Sequence, residues 1–586
     1  MYQALKDDEI RLLTLASGPP NTGIQCFLET VSLGHAGTYD ALSYTWGHES
    51  SDIGISLNNH SMPVTRNLYE ALEALRLTTH PRKLWVDALC INQADLKERA
   101  SQVNIMRQIY EEAKNVIVWL GPQGDNSDLA LDLLQKLSSI RQKHFDFAPY
   151  GVILLKDLSK AGLPDAFEPA WAAVNSLLGR SWFSRVWVIQ EVAVSKNSSI
   201  RCGGREIAWD VVASGLRTAH EAQLMSLLDD GYKHVARLQA FRERIAGGNE
   251  LLLATLLVSA QNCLATDPRD KIFALLGIGS DSRRVGETTK TLVTPNYEKP
   301  AAEVFTEFAR TCIDHYGFLD ILSSKGFEEA TDGLPSWVTD WSKHQTCTPL
   351  MIYENPSVYR ASKGSRAECT YCSKGRRLQV WGIIVDEVTK VGRALLESGP
   401  DGKIDDANII LEWANLAGEV KLYPGGTGVD TAFMLTMIAN SDSKAQKASD
   451  DYLAASLSWY RWIHTANSLE IPEYLLSKVN EEEDRVRATF FHGALMRVCY
   501  GRRFFLTRNG YMGIGSSHMK TGDLVCIARG ASVPLILREN RKFVGGYDLE
   551  PLHIFIERRL VGDSYIHGLM DGEGYDESCL EEISLI

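Results

Sequence analysis

The chain has 586 residues, of which 45% are hydrophobic and 23% charged, a composition typical of soluble globular proteins with several domains. Its 74 Asp and Glu residues outnumber 61 Lys and Arg, giving a net charge of −13. This balance argues against a broad nucleic-acid-binding surface, which needs clustered basic side chains.

The amino terminus and the cysteines indicate where the protein works. The opening segment MYQALKDDEIRLL is acidic where a signal peptide is basic, and no apolar run reaches the roughly 20 residues that span a bilayer. The 11 cysteines are scattered and odd in number, which fits reduced thiols. We therefore expect a cytoplasmic protein without a membrane partner.

The first 120 residues alternate between strand-like and helix-like patterns. Asn58-Asn59 predicts a hairpin turn, Thr65 a helix cap, and Asp95 with Glu98 a capping box. Strands alternating with helices predict an α/β fold, a parallel sheet with helices on both faces. The strand-like segments cover residues 24–33, 39–47, 83–91 and 116–122.

The remaining chain predicts a division into further regions. We expect one α/β domain over residues 1–280, with a large helical insertion around 123–180, and a polar linker at 281–295. Residues 296–500 indicate a mixed, mainly helical region, and 501–586 a β-rich carboxyl-terminal region with a hairpin at Asn509-Gly510. Helices are predicted near residues 301–316, 451–467 and 487–499.

Motifs for metal or phosphate binding are weak. Cys369 and Cys372 form a CxxC, but a zinc site needs a second pair, so a loop with two reduced cysteines is the simpler interpretation. PGGTG at 424–428 lacks the Lys of a phosphate-binding loop and indicates a turn. Cys90 lies in an apolar segment, where a cysteine is usually just buried. We predict no metal site.

A carboxylate interrupts the apolar segment SRVWVIQEVAVS at Glu191. It lies on an exposed edge, is buried with a partner such as Arg185, or takes part in chemistry, because an unpaired buried carboxylate is costly. As a helix, the segment puts Trp187 and Glu191 four residues apart on one face; as a strand, it also puts them on one face.

Polar residues also occur near the end of the third strand-like segment. Asp87 lies within the segment, and Asn92 and Gln93 follow it. Ligands bind at the carboxyl ends of parallel strands, which makes Asp87 a candidate binding residue. The alternative is that Asp87 pairs with a core arginine and that Asn92 or Asp95 caps the next helix.

Four blocks together resemble the fungal heterokaryon-incompatibility (HET) domain: YDALSYTWG, LWVDALCINQADLKERASQVNIMRQIYEEAKNVIVWLG, RSWFSRVWVIQEVA and DPRDKIFALLG. The resemblance covers roughly residues 39 to 195 with flanking segments, and GDSYIHGLMDGE near the carboxyl terminus resembles the tail of large HET-domain proteins. It implies a role in nonself recognition and programmed cell death.

The HET domain in turn is similar to Toll/interleukin-1 receptor (TIR) domains. Trp187 to Glu191 keeps the spacing of the TIR Trp-Cys-x-x-Glu pattern without its Cys, and about 60 residues separate VWLG from SRVW, more than in a TIR domain. In active TIR domains this Glu supports cleavage of the nicotinamide–ribose bond of NAD. The resemblance implies Glu191 as the catalytic residue. It implies Ser43, Tyr44 and Trp46 as residues that hold the nicotinamide and its ribose. The other two predicted substrate-binding residues are Asp87, from its place near a strand end, and Trp187, from the face it shares with Glu191.

Two functions follow from this resemblance. In the first, the protein hydrolyses NAD or a related nucleotide, with NAD as substrate and no cofactor or metal, because a carboxylate stabilises an oxocarbenium-like transition state. In the second, a non-catalytic TIR-like module assembles with partners, and Glu191 belongs to an interface or salt bridge. Both imply homo-oligomer formation on activation and an incompatibility partner protein.

Overall fold

The chain folds into two compact units, Met1–Lys299 (unit 1) and Pro300–Ile586 (unit 2). The computed structural model describes residues 2–20, 22–47, 53–140, 155–282, 292–326, 333–351, 353, 358–396, 406–442, 446–466, 481–544 and 553–586. Residues 141–154 of the predicted insertion and residues 283–291 of the predicted linker lie outside these ranges.

Unit 1 contains a nine-stranded sheet with the order β5-β4-β2-β1-β6-β3-β7-β8-β9. Its strands are β1 (Glu9–Leu15), β2 (Gln25–Ser32), β3 (Asp40–Ser43), β4 (Ile53–Leu57), β5 (His60–Val64), β6 (Arg82–Trp85), β7 (Asn115–Trp119), β8 (Ser198–Cys202) and β9 (Arg205–Ala208).

The sheet is mixed, so the predicted parallel sheet is correct only for part of it. Strands β6, β3, β7 and β8 run parallel to one another at its centre, and β2 pairs in parallel with β4. Strand β1 is antiparallel to both β2 and β6, and β9 is antiparallel to β8. Central parallel strands need crossover connections, which the helical segments between them supply. The antiparallel strands extend this centre on both sides.

Ten helices are described in unit 1. They are α1 (Arg66–Leu75), α2 (Asp87–Cys90), α3 (Leu96–Glu112), α4 (Ser127–Ile140), α5 (Pro169–Leu178), α6 (Trp187–Ala193), α7 (Trp209–Glu221), α8 (Gly231–Ala246), α9 (Leu253–Ser259) and α10 (Asp270–Leu276). Among them, α6 contacts α3, α8 and α10, so it is held by tertiary contacts on several sides.

The predicted hairpin turn and helix caps of unit 1 are confirmed, whereas the predicted capping box is wrong. The β4–β5 hairpin turns at Asn58 and Asn59, both with positive φ, and Thr65 accepts a hydrogen bond from the Leu68 amide at the start of α1. Asp95 caps α3, but Glu98 does not complete a capping box; it forms a buried ion pair with Arg11.

The predicted strand at residues 83–91 is wrong in its second half. Strand β6 ends at Trp85, and Asp87 begins the short helix α2. The Asp87 carboxylate accepts a hydrogen bond from the Ala88 amide (2.7 Å), which stabilises the helix start. Asp87 therefore lies just beyond the carboxyl end of a parallel strand.

Unit 2 contains an eight-stranded sheet that closes on itself. The strands follow the order β10-β11-β12-β13-β16-β15-β14, and β11 also pairs with β14, which closes a ring of six strands. They are β10 (Cys369–Cys372), β11 (Arg377–Ala394), β12 (Arg502–Thr507), β13 (Met512–Ser516), β14 (Leu524–Ala528), β15 (Leu535–Val544), β16 (His553–Ile566) and β17 (Glu581–Leu585).

The closed sheet includes strands that the sequence did not predict. Both β10 and β11 lie in the region expected to be mainly helical, and β10 occupies the segment interpreted as a loop around the two cysteines. The predicted hairpin at Asn509-Gly510 is confirmed: it joins β12 to β13, and Gly510 has φ 86°.

Five helices of unit 2 are described, and four of them pack with strands β12 and β13 into one hydrophobic cluster. The helix predicted at residues 301–316 is confirmed with those bounds. The five are α11 (Ala301–Tyr316), α12 (Asp406–Ala417), α13 (Val429–Met437), α14 (Asp450–Ala466) and α15 (Glu481–Cys499).

A buried ion pair joins β12 to β16. Arg502 lies 2.6 Å from Asp563, and neither side chain is more than 2% exposed. The Leu350 amide also donates to Asp563 (2.7 Å), and Arg502 donates to the Thr348 carbonyl (2.8 Å). The carboxylate raises the pKa of Arg502 against the opposing effect of burial, so the pair stays ionised.

Candidate active site

The structure brings Glu191 to the carboxyl end of the central strand β3. The Ser43 hydroxyl, on the last residue of β3, donates a hydrogen bond to Oε2 of Glu191. The Trp182 indole N–H donates to the same hydroxyl oxygen at 2.8 Å. Ser43 thus links the sheet to helix α6, which carries Glu191.

The Glu191 carboxylate is buried, with 3% of the residue exposed. Burial raises its pKa from 4.5 to about 7, while Arg185 and the Ser43 hydrogen bond lower it. A carboxyl group with such a pKa is present in both protonation states at neutral pH, which suits acid–base or electrostatic catalysis.

The charge of Arg185 acts on two carboxylates of the site. Its guanidinium donates to the Tyr44 carbonyl and lowers the pKa of both Glu191 and Asp87 through its charge. Among the described residues it forms no ion pair with Glu191 within 4.0 Å. Arg185 therefore does not form the salt bridge considered for Glu191.

Three predicted residues form a second group beside this carboxylate. The Trp46 indole N–H donates to Oδ2 of Asp87 at 2.9 Å, and the Asp87 charge raises the pKa of the buried Tyr44 hydroxyl beyond the effect of burial. Burial also raises the pKa of Asp87. Trp46 remains 41% exposed, so an aromatic surface is available to a planar ligand next to Asp87.

Thr45, two residues after the end of β3, is held by a residue that sequence reasoning missed. Asn67, on α1, donates to the carbonyl (2.6 Å) and hydroxyl (3.0 Å) oxygens of Thr45 and accepts from the Trp119 indole (2.9 Å). Trp182, which orients Ser43, was also missed. Its occurrence in RSWFSRVW, within a block of family resemblance, is the only sequence signal for it.

Trp187 lies in a different cluster. It begins α6, and its indole N–H donates to Oδ2 of Asp270 at 3.1 Å. Gln93 donates to the Asp87 carbonyl (3.0 Å), and Asp95, not Asn92, caps α3. The residues brought together at the end of β3 are therefore Ser43, Tyr44, Trp46, Asp87 and Glu191.

The cysteines are free thiols. Burial raises the pKa of Cys90 to about 12, which makes it a poor nucleophile at neutral pH. Cys369 and Cys372 lie on β10, where Cys372 donates to the Gln379 side chain. Within the described ranges, no group of three or more His, Cys, Asp or Glu side chains could hold a metal ion.

Comparison with known families finds two matching regions. The family described as "Heterokaryon incompatibility protein (HET)" matches residues 39–191, which include every residue of the candidate site. The family described as "Het-6 beta-barrel domain" matches residues 442–586, which include six of the strands of the closed sheet.

One similar protein supports the same assignment over nearly the whole chain. "Heterokaryon incompatibility protein 6, OR allele" of Neurospora crassa is 26% identical over an alignment of 684 positions, covering 98% of this chain and 96% of the relative. No solved structure matches the chain. In the part of the chain that is described, no helix is long and apolar enough to cross a membrane.

Proposed function

Since the chain is a fungal HET-domain protein, we propose that it acts in nonself recognition and cell death by hydrolysing the nicotinamide–ribose bond of NAD. Glu191 is the catalytic carboxylate in this proposal, and NAD is a substrate rather than a cofactor. The observation that carries it is the position of the buried Glu191 carboxylate, which Ser43 holds at the carboxyl end of β3; burial also raises its pKa.

Each neighbouring residue has a role in the proposed reaction. Trp46 stacks on a planar ring, since its indole is exposed, and its N–H keeps Asp87 in place at 2.9 Å. Asp87 and Glu191 supply negative charge near a cationic nicotinamide ribosyl centre. Ser43 holds one oxygen of Glu191, which leaves the other to face the sugar.

The chemistry follows from the charge on NAD. The C–N bond between ribose and nicotinamide breaks with its electron pair going to nicotinamide, which leaves as a neutral molecule. The ribosyl carbon then carries positive charge, which the Glu191 carboxylate stabilises. Water adds to this carbon and releases a proton, so the products are nicotinamide, ADP-ribose and one proton.

Burial of the site favours a low resting activity. Ser43, Tyr44 and Glu191 are each at most 3% exposed, so NAD reaches the carboxylate only after a local movement at the carboxyl end of β3. We propose that assembly into a homo-oligomer, triggered by an incompatibility partner in the cytoplasm, supplies this movement. A low resting activity suits an enzyme whose reaction leads to cell death.

The same burial supports a second candidate function. A carboxylate held by Ser43 inside the domain also fits a purely structural role, in which it joins β3 to α6. In that case the HET domain is a non-catalytic assembly module that acts through partners. Substrate turnover distinguishes the two functions.

The deciding experiment is chromatography of NAD incubated with the purified full chain, at low and high protein concentration. It compares the native protein with Glu191→Gln and with Glu29→Gln, a control that removes an exposed carboxylate paired with Lys83. Nicotinamide release by the native chain and Glu29→Gln, with a loss of at least 100-fold in Glu191→Gln, is the expected result.

Two outcomes contradict the proposal. Equal release by the Glu191→Gln protein shows that another residue carries the reaction. If the folded native protein releases no nicotinamide at any concentration, the assembly module is the function and the enzyme is rejected.

A further inference from the structure

The segment DPRDKIFALLG contains a buried carboxylate, Asp270, with three different donors. The Tyr297 hydroxyl donates to its Oδ1 at 2.7 Å, and the Trp187 indole N–H donates to its Oδ2 at 3.1 Å. Arg99, on α3, lies 3.3 Å from the same carboxylate. Asp270 is 5% exposed, so these contacts are shielded from water.

Several residues of unit 1 hold Tyr297 in place. The Arg99 guanidinium lies 3.7 Å from the centre of its ring, and Phe273 packs edge-on at 5.2 Å. Arg269 donates to the backbone carbonyls of Tyr297 (2.5 Å) and Lys299 (2.7 Å). Asp267 holds Arg269 through two hydrogen bonds of 2.9 and 2.8 Å.

These contacts connect residues 297–299 with helix α6. Residues 297–299 are the last of unit 1 and lead directly into unit 2. Trp187 begins α6, and Glu191 follows it by about one helical turn. The Asp270 carboxylate therefore touches both the segment that enters unit 2 and the helix that carries Glu191.

We propose that Asp270 is a positioning residue that couples residues 297–299 to α6, so that displacement of this segment shifts the Glu191 carboxylate. The coupling concerns the geometry of unit 1, and its consequence for NAD cleavage rests on the proposed function. It gives the segment DPRDKIFALLG a regulatory task that its resemblance to the family does not assign.

The short length of α6 makes this coupling effective. A helix of seven residues is not stable by itself, so its position depends on its tertiary contacts. Val188, Ile189 and Val192 hold its buried side, and the Trp187–Asp270 hydrogen bond holds its first turn. When Tyr297 leaves Asp270, the carboxylate loses one donor and the restraint on that turn weakens.

The test uses the full-length protein and Tyr297→Phe, which removes one hydroxyl and keeps the ring that packs on Arg99 and Phe273. The matched control is Tyr39→Phe, since the buried Tyr39 hydroxyl donates to the Ile109 carbonyl at 2.7 Å and does not contact Asp270. Hydrogen exchange of the peptide that covers α6 is measured by mass spectrometry, together with thermal unfolding.

We expect amide exchange in α6 to be about tenfold faster in Tyr297→Phe than in Tyr39→Phe, with similar unfolding temperatures for the two variants. Trp187→Phe, which deletes the other donor, reproduces the effect. Exchange in α6 that is unchanged, or that rises equally in Tyr39→Phe, overturns the proposal.

Nicotinamide release is measured on the same samples. In an active protein, Tyr297→Phe lowers kcat several-fold and leaves KM within twofold, because the shifted carboxylate acts in the transition state. An equal kcat in Tyr297→Phe and Tyr39→Phe would show that the Tyr297 hydroxyl does not influence Glu191, and it overturns the positioning role. If the native protein releases no nicotinamide, the proposed function fails, and the exchange result alone decides the coupling.

Discussion

Ser43 and Glu191 lie 148 positions apart in the chain and share a buried hydrogen bond in which the hydroxyl donates to the carboxylate. The bond joins the end of β3 to α6 and fixes the position of one oxygen of the carboxylate. Because Trp182 donates to the same hydroxyl, the direction of the Ser43 hydrogen toward Glu191 is fixed as well.

Replacement of Ser43 by alanine tests this bond. Since the Ser43 hydroxyl lowers the pKa of Glu191, the Ser43→Ala variant should titrate Glu191 above about 7. The unpaired Trp182 N–H and Glu191 carboxylate should cost about 1–3 kcal/mol of stability. Carbon-13 NMR of labelled glutamate carboxyls and urea denaturation measure the two effects.

The matched control is Ser195→Ala. Ser195 is also buried, but its hydroxyl donates to the Val192 carbonyl within the same turn. It should leave the Glu191 titration unchanged. An unchanged Glu191 titration in Ser43→Ala would show that the hydroxyl does not act on the carboxylate.

The raised pKa of Glu191 makes the stability of unit 1 depend on pH. Below pH 4.5 the carboxyl is protonated in both the folded and unfolded states. As pH rises toward about 7, the unfolded chain loses this proton first, so stability is lost across this window. Relative to Glu191→Gln, the native protein should lose about 3 kcal/mol between pH 4.5 and 8.

This difference is measured by urea denaturation of both proteins at several pH values. Histidines and other titrating groups are common to the two proteins and cancel in the difference. A difference that stays constant across pH 4.5 to 8 would mean that Glu191 ionises in the folded protein as it does in the unfolded chain.

The Arg502–Asp563 pair should be essential to unit 2. Arg502→Met leaves a buried carboxylate without its cation, which should cost about 3–5 kcal/mol. The exposed Lys390–Glu419 pair is the control, since Lys390→Met should change stability by about 1 kcal/mol or less. Chemical denaturation measures the free energy of unfolding of both variants. Equal small decreases would show that the buried pair stabilises the protein no more than the exposed pair does.

Two glycines of unit 2 should respond to alanine in opposite directions. A Cβ on Gly513, in β13, would lie 2.4 Å from the Phe505 ring and 2.8 Å from the Tyr565 carbonyl, so Gly513→Ala should cost about 1–3 kcal/mol. Gly493 is exposed within α15 with nothing within 4 Å, so Gly493→Ala should gain about 1 kcal/mol. Thermal unfolding of both variants checks the signs.

Local signals in the sequence predicted local structure well. The Asn58-Asn59 turn, the Thr65 and Asp95 caps and the bounds of α11 depend on side chains and backbone close together in the chain, and the structure confirms them. The end of β6 was missed because the residues around Asp87 are apolar, and a short apolar segment fits either a strand or a buried helix.

Long-range arrangements could not be predicted in the same way. The antiparallel pairing of β1 with β2 and β6, and the double pairing of β11, depend on which segments meet in space. Resemblance to a family predicted Ser43, Tyr44 and Trp46 for the site, and a place near a strand end predicted Asp87; the fold brings these four residues together. Trp187 was assigned to the same group from its spacing to Glu191 and the TIR pattern, whereas its indole N–H donates to Asp270.

The two outermost strands of the unit 1 sheet restrict how copies of the protein could associate. Strand β5 contains Pro63, which has no N–H to offer a neighbouring strand, and β9 is four residues long and begins with Arg205-Glu206. Both features oppose growth of the sheet from one molecule into the next, as occurs in amyloid. Self-association of this domain therefore has to use side-chain surfaces, and a mutation that exposed a longer, uncharged edge strand would make it prone to fibre formation.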